Sequence, residues 1–570
     1  MLVPAVDFDE ALYAEFARVM LATGDFLQPR WDGSAVFDKP PPFIWTLLPF
    51  GHAYDPSSFF AGLMRLPNLL SSLAIALACG WLLRRSQPKT LPAPSVPWSF
   101  GFALYFCALM PAVGSGLLLI DLLLSVWLFP VFVILDRSVQ MAKGGMVATP
   151  KFSHALIAGV CMAGATATKG LIGLVIPGLA AGVAILWVRG RHSIFYALLQ
   201  GARAYAPMAA VALLGSAAFF GGLWLAGHQD FVTAFFMVHH FGRGSSAMEG
   251  HGGSFLYHWV VVFIGGGWTS AAILKLVAKK IRHPATSLRS RMEDFPAVWT
   301  LVVIGFFSLM ATKLPNYTWP CWLALPFVVT RLAHEAQDAK QPACHKGSTA
   351  AQPHLWKRLT SNVVEALVFL LGSVFALGAV AALLLPLLLG PQPLFDVLGG
   401  AIDERALAII QSTQPNGWEQ TAFVLLGVTL GALAVLVFRT ALLRDPVKIF
   451  RDTVVVLWTH AALLLVTIFG LGPLVQRTFV DPVLGAAVIA SEQFPQHDVL
   501  TFGIRSPSFS SMYRGTGRIR QVGSDSDAHM GLARPTVLVV PSWSPGSCQE
   551  MGARTIQQLG WLWVCDQNHK

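Results

Sequence analysis

Three carboxylates, Asp7, Asp9 and Glu10, fall within four positions at the start of the chain, ahead of a half-apolar segment from Ala11 to Leu21 that reads as a helix. A short polar return follows and closes on Asp38-Lys39-Pro40-Pro41-Pro42. Nearly all the rest of the chain is apolar. A charged, proline-closed hairpin (7–57) feeding many apolar spans points to chemistry done at a membrane surface rather than in a soluble core. The same acids have a structural reading. Near a helix N-terminus they stabilise the dipole, and Asp9 would cap the helix. The residues by themselves leave both open.

Other polar side chains concentrate at outward loops and span ends: Tyr13, Glu15, Lys39, Asp121, Lys169, His239, His240, Arg243, His251, Lys313, Asn316 and Tyr317. Charge near a bilayer is costly and usually faces a cavity or a partner. Asp121 stands alone in the run Leu117 to Leu124, where an acid needs a cation or a task. Lys169 and Lys313 sit at outward turns. Snorkelling explains each singly, whereas the pair with Arg243 suits a phosphate headgroup. Asp38 with His239 and His240 offers oxygen and nitrogen ligands for a divalent metal such as zinc; adjacent histidines on an interfacial helix are also ordinary surface residues. No Walker loop and no GxGxxG is present, which argues against an ATP-driven pump or a nucleotide-sugar site.

These residues must be positioned by membrane-spanning elements. Of 570 residues 54% are hydrophobic and only 12% charged, with a mean hydropathy of +0.58, whereas soluble domains carry about 25% charged residues. A span needs about 20 mostly apolar residues. Candidates run near 58–83, 97–113, 118–136, 153–168, 170–188, 205–226, 257–278, 296–311, 317–332, 361–390, 417–437 and 449–472, about twelve in all. The net charge of +10 lies in short loops, as topology signals do, and calls for no nucleic acid. Loops rich in Lys and Arg alternate with loops carrying a single base each, Lys169, Arg243, Lys313 and Arg405. The rich set is expected inside, so the hairpin, the 227–256 loop and the C-terminal tail face outward together. The first residues carry acids rather than an n-region and h-region, so no signal peptide is expected.

The expected domains are a transmembrane unit over 1–472 and a small α/β outer domain over 473–570, with strands near 497–502 and 535–540 and an apolar-aromatic run at 559–564. Cys79, Cys107, Cys161 and Cys321 lie in apolar spans as small core residues. Cys548 and Cys565 share the tail and would pair if it is extracytoplasmic.

Taken in order, Asp9-Glu10-Ala11-Leu12-Tyr13-Ala14-Glu15, Gly24-Asp25-Phe26-Leu27-Gln28-Pro29, Lys39-Pro40-Pro41 and Trp45 resemble the first outer loop of the lipid-linked glycosyltransferases. That group comprises the protein O-mannosyltransferases and the bacterial lipid A aminoarabinose transferases. The resemblance continues through Asp121, Thr168-Lys169-Gly170, His240 with Arg243, and Lys313-Leu314-Pro315-Asn316-Tyr317, and so covers roughly residues 7–330; Phe509 and Tyr513 echo the bacterial outer domain weakly. It implies a GT-C fold, a polyprenyl-phosphate sugar donor and inversion at the anomeric carbon. It implies Asp9 as the principal catalytic carboxylate with Glu10 beside it and Asp121 as a second essential acid. Tyr13, Lys39, Lys169, Arg243, Lys313 and Tyr317 would bind substrate, and Asp38 with His239 or His240 would hold a metal. The family has one further span before its Asp-Glu loop, so either the true start lies upstream or this chain is a form lacking the family's first span. Leu12 stands where the aminoarabinose transferase has an arginine, and Asp38 where it has a glutamate.

The expectation is thus a bacterial inner-membrane glycosyltransferase with its active site and C-terminal domain periplasmic, acting on a lipid (lipid A or another glycolipid), a glycan or a protein. A flippase or transporter of lipid-linked sugars would use the same charged cavity for binding alone. A non-catalytic envelope assembly factor is a third reading, against which the retained Asp9, Asp121 and Lys39 argue.

Overall fold

The computed structural model describes residues 9–31, 33–51, 63–85, 98–190, 192–242, 252–282, 294–338, 355–388, 415–442, 453–502, 507–513, 516, 518–522, 535–541, 548 and 553–567. Among them, six helices are long and apolar enough to cross a membrane: Leu63–Arg85, Ile120–Gln140, Ile194–Leu225, Glu365–Leu384, Gly417–Leu442 and Thr453–Gln493. Tyr257–Gly266 and Trp268–Ala278 make a seventh if that pair, bent by 102°, is one span. Gly267, at φ 52°, supplies the bend. The protein is a multi-pass membrane protein.

The twelve apolar stretches read from the sequence outnumber these helices because proline breaks several of them. The 97–113 stretch divides into Trp98–Phe106 and Leu109–Gly114, with Pro111 in the second piece. The 317–332 stretch opens with a 3-10 turn, Pro315–Thr318, and a four-residue helix, Trp319–Trp322, before Leu325–Asp338 begins. A proline has no N–H to give the preceding turn. Ile172–Val188 and Phe295–Leu309 are apolar helices shorter than a full span.

Between the helices the packing follows membrane rules, small residues inward and large apolar ones outward. The Ile194–Leu225 helix buries Gly201, Ala204 and Ala212 and exposes Leu213, Leu214 and Leu225. A Cβ on Gly159 would stand 2.6 Å from Val211, a measure of how closely the two backbones approach. Phe132, Trp299 and Phe327 form the aromatic centre of the main core, with ring centroids 5.5 and 5.3 Å from Phe132.

Helical structure runs on from Thr453 to Gln493, through the point at 472/473 where the sequence suggested a boundary, and the sheet begins at Asp498. Five strands, β3 (Asp498–Phe502), β4 (Ile519–Val522), β5 (Thr536–Pro541), β6 (Arg554–Leu559) and β7 (Leu562–Asp566), lie in the order β4-β3-β5-β7-β6. β3 is parallel to β4 and β5, and β7 is antiparallel to β5 and β6. Every residue of β5 is buried, as befits a central strand. Cys548 and Cys565 are joined in a disulfide.

The N-terminal hairpin carries a two-strand ribbon, β1 (Arg30–Trp31) with β2 (Ser34–Ala35), turned at Gly33 with φ 75°. Trp31 Nε1 donates to Ser510 Oγ at 3.3 Å. The hairpin and the sheet region therefore lie on one side of the bundle.

Candidate active site

Where the hairpin meets the helix ends, a cleft of about 510 Å³ opens. Tyr13, Asp38, Lys39, Lys169, Asn316 and Tyr317 line it on one side; Leu171, Ile172, Val175, Phe306, Phe307 and Met310 make an apolar wall. Phe235, His239, His240 and Phe241 complete it.

Asp121 is the second residue of the Ile120–Gln140 helix and is 1% exposed. Its carboxylate is ion-paired with Lys169, the last residue of the Phe152–Lys169 helix, and accepts a hydrogen bond from Asn316 Nδ2 at 2.8 Å. Asn68 Nδ2 donates to the carbonyls of Leu117 and Leu119, both at 2.8 Å, and so holds the approach to that helix. The acid that seemed to need a cation has one. The buried carboxylate of Asp121 thus ties the ends of the Lys169 and Asn316 segments together. Lys169 Nζ also lies 4.9 Å from the centroid of Tyr317.

Gly170 closes the Lys169 helix at φ 74°, ψ −151°, a region held essentially by glycine alone. A Cβ there would stand 1.9 Å from His240 Nε2. Gly170→Ala is expected to cost on the order of 1–3 kcal/mol from the backbone alone, read as a lower unfolding temperature, with a larger fall in activity because Lys169 shifts with it. Adding His240→Ala should recover part of the stability but none of the backbone cost.

On the hairpin the structure describes the side chain of Glu10. Glu10, expected beside Asp9 in the chemistry, is 6% exposed and is gripped by Arg65, with Nε to Oε1 at 3.0 Å and Nη2 to Oε2 at 2.6 Å. The Leu118 N–H also donates to Oε1 at 2.7 Å. Glu10 is thus a clamp between the hairpin, the Arg65 turn and the Asp121 loop. Glu15 pairs with Arg18 one turn on, at 2.7 Å. Asp9 opens the Asp9–Thr23 helix; its side chain, with Arg243 and His251, lies outside the described residues. Position 9 stands one turn before Tyr13 on the same helix face, and Tyr13 lines the cleft. Tyr13 packs edge-on to Phe43 at 5.0 Å, and Lys39 Nζ lies 5.6 Å from the Tyr13 centroid and 3.3 Å from Asp38.

Lys313, expected at a donor phosphate, turns elsewhere. Its ammonium donates to the carbonyls of Phe307, Ser308 and Met310 and caps the C-terminus of the Phe295–Leu309 helix. Desolvation holds its pKa below the ordinary lysine value. The physical reason is local: the last carbonyls of a helix need donors, and a lysine three to six residues on can reach them. Lys313→Met is expected to destabilise the protein by about 1–3 kcal/mol in a thermal melt, with little change in KM for the donor.

Asp38, His239 and His240, the expected metal ligands, all border the cleft. Asp38 is paired with Lys39, and His240 directs Nδ1 at the Phe235 carbonyl (2.8 Å) and Nε2 at the Lys169 carbonyl (3.3 Å). Among the described residues no three His, Cys, Asp or Glu side chains converge as ligands. No step is derived through a metal. Sequence reasoning missed Arg65 and Asn68, both buried. Their signal was present, since each is a polar residue at the start of an apolar span, as Asp121 is.

No protein-family model matches the chain. It is similar to the undecaprenyl phosphate-alpha-4-amino-4-deoxy-L-arabinose arabinosyl transferase of Edwardsiella ictaluri, 27% identical over 326 residues, 56% of this chain and 54% of that one. That of Erwinia tasmaniensis is 28% identical over 335 residues, 57% of this chain and 54% of its own length. The chain spans about half the length of the curated relatives it matches. In architecture it is similar to the crystal structure of ArnT from Cupriavidus metallidurans bound to undecaprenyl phosphate, with a TM-score of 0.63 at 18% identity over 100% of this chain and 95% of that one. The apo structure of the same protein gives 0.63 at 17% identity, covering 99% of this chain and 94% of that one. The chain therefore shares the fold of the solved ArnT structures, the GT-C fold.

Proposed function

We propose that the protein is a glycosyltransferase that moves a sugar from a polyprenyl-phosphate carrier to an envelope acceptor, with inversion. The observation that carries this reading is the cleft itself. It has an apolar wall suited to a prenyl chain, and its lining includes two lysines, Lys39 and Lys169, that would meet a phosphate. The acceptor oxygen attacks the anomeric carbon as the bond from that carbon to the carrier phosphate oxygen breaks. The leaving polyprenyl phosphate gains negative charge, which the two cations stabilise. When the acceptor is a hydroxyl, its proton passes to the Asp9 carboxylate; when it is a lipid phosphate, no proton need move. Tyr13, Tyr317 and Asn316 shape the space around the sugar, and Glu10 and Asp121 hold the frame.

The relatives' names, those of arabinosyl transferases of an undecaprenyl phosphate-linked sugar, support transfer over transport; for the acceptor we propose lipid A or a similar glycolipid, on the motif resemblance. We place the protein in a bacterial inner membrane with the cleft periplasmic. The Cys548–Cys565 disulfide supports this, because such bonds persist in oxidising compartments, and the Trp31–Ser510 contact puts the hairpin on the same side.

The test is to express the chain in membranes supplied with radiolabelled polyprenyl-phosphate sugars and follow label into lipid A, other glycolipids and protein. Label above that of membranes lacking the chain is the expected result, and its fraction names the acceptor class. Carrier bound and moved between leaflets with no label transferred would replace this reading with a transporter.

A further inference from the structure

A second cavity, of about 680 Å³, lies at the other end of the Ile120–Gln140 helix. Arg137, which lines it, is sixteen residues beyond Asp121 and therefore about 24 Å away along the axis, on the opposite side of the membrane from the cleft. Lys143, Lys151 and His154 line it too, over an apolar floor that includes Ile134 and Val147.

This pocket is built rather than incidental. Lys143 and Met146 exchange backbone hydrogen bonds at 3.0 and 3.1 Å around a Gly144-Gly145 turn with φ 59° and 82°, a tight hairpin that only such residues form readily. His192 Nε2 lies 2.6 Å from the Gly144 carbonyl, and a Cβ on Gly145 would meet the Arg189 carbonyl at 2.7 Å. The hairpin is therefore locked against the next loop. Ser138 bonds both the Ala148 carbonyl and Tyr205 and ties the hairpin to two helices.

Among the described residues, the charge on this rigid rim is uncompensated. No described carboxylate pairs with Arg137, Lys143 or Lys151. The nearest acid in sequence, Asp136, is buried and committed to Arg331 and Gln140. Three unpaired cations over an apolar floor call for an anion with a hydrocarbon part. Beside the cavity the Phe152–Lys169 helix shows Phe152, Leu156 and Ile157 outward, the surface along which acyl chains would lie.

We infer that this pocket binds the phosphate headgroup of an anionic membrane lipid, at a site separate from the sugar-transfer cleft. Basic pockets between membrane helices take such headgroups.

The test uses the full chain in detergent, with dioleoylphosphatidylglycerol titrated against dioleoylphosphatidylcholine and bound lipid counted by native mass spectrometry. Arg137→Gln with Lys143→Gln is compared with Arg84→Gln with Arg85→Gln, an equal charge change on another helix end. The expected result is one retained phosphatidylglycerol, its affinity lowered on the order of tenfold by the first pair and little by the second. Thermal stabilisation by phosphatidylglycerol should disappear in the first pair alone, a readout that distinguishes lost binding from misfolding. Equal losses in both pairs, or equal binding of phosphatidylcholine, would reduce the pocket to a general basic surface and overturn the site. Displacement of the lipid by inorganic phosphate at similar concentration would assign the pocket to free phosphate and overturn the lipid reading.

Discussion

Asp9→Asn is expected to lower transfer to a hydroxyl acceptor by about 10²–10⁴-fold, the range of a positioned general base, while the carrier still binds. The substitution keeps size and hydrogen bonding and removes only the basic oxygen. Glu10 cannot stand in, because Arg65 and the Leu118 N–H already hold its carboxylate. Initial rates with labelled donor, set beside carrier retention on the purified protein, separate the two effects. The size of the loss also reports on the acceptor. A fall of only a fewfold would point to an acceptor that brings its own negative oxygen, such as a lipid phosphate. Unchanged transfer to a hydroxyl acceptor would remove Asp9 from the mechanism.

Lys169→Met should be the other severe variant, for two reasons that can be separated. It leaves Asp121, 1% exposed, without its cation, and breaking a buried pair costs about 3–5 kcal/mol. It also takes one of the two cleft lysines from the leaving phosphate, a loss of about 10²–10³ in rate if Lys169 acts there as an oxyanion donor does. Asp121→Asn in the same chain removes the stranded charge. Stability should then return while transfer stays low. Recovery of both together would make Lys169 a structural partner of Asp121 and nothing more.

Much of this was legible in the residues. A single acid in a run of leucines demanded a partner, and the ordered motifs from Asp9 to Tyr317 contained it in Lys169. The tail's short apolar runs became β3, β5 and β7 because their composition suits buried strands. What stayed hidden depends on distance in space. Asp9 and Glu10 are adjacent and chemically alike, and only an arginine 55 positions away gives the second its role. Lys313 looked like Lys169, a lysine at an outward turn, until helix geometry put unsatisfied carbonyls within its reach. The types of Asp38 and the His pair were legible, whereas the backbone carbonyls that face both nitrogens of His240 come from segments brought together only in the fold.

The Glu10 clamp also bears on how the site comes into being. Its carboxylate joins segments 55 and 108 residues apart, so it closes a long loop, and the ordering entropy of that loop must be overcome before the contact can form. During synthesis the hairpin emerges before both of its partners, yet it gains its anchor only after the Leu66–Arg85 helix and the start of the Ile120–Gln140 helix are in the bilayer. Ordering of the hairpin therefore follows the insertion of those two helices rather than its own translation. A nascent chain interrupted before Leu118 would carry its acids without the surface that orders them.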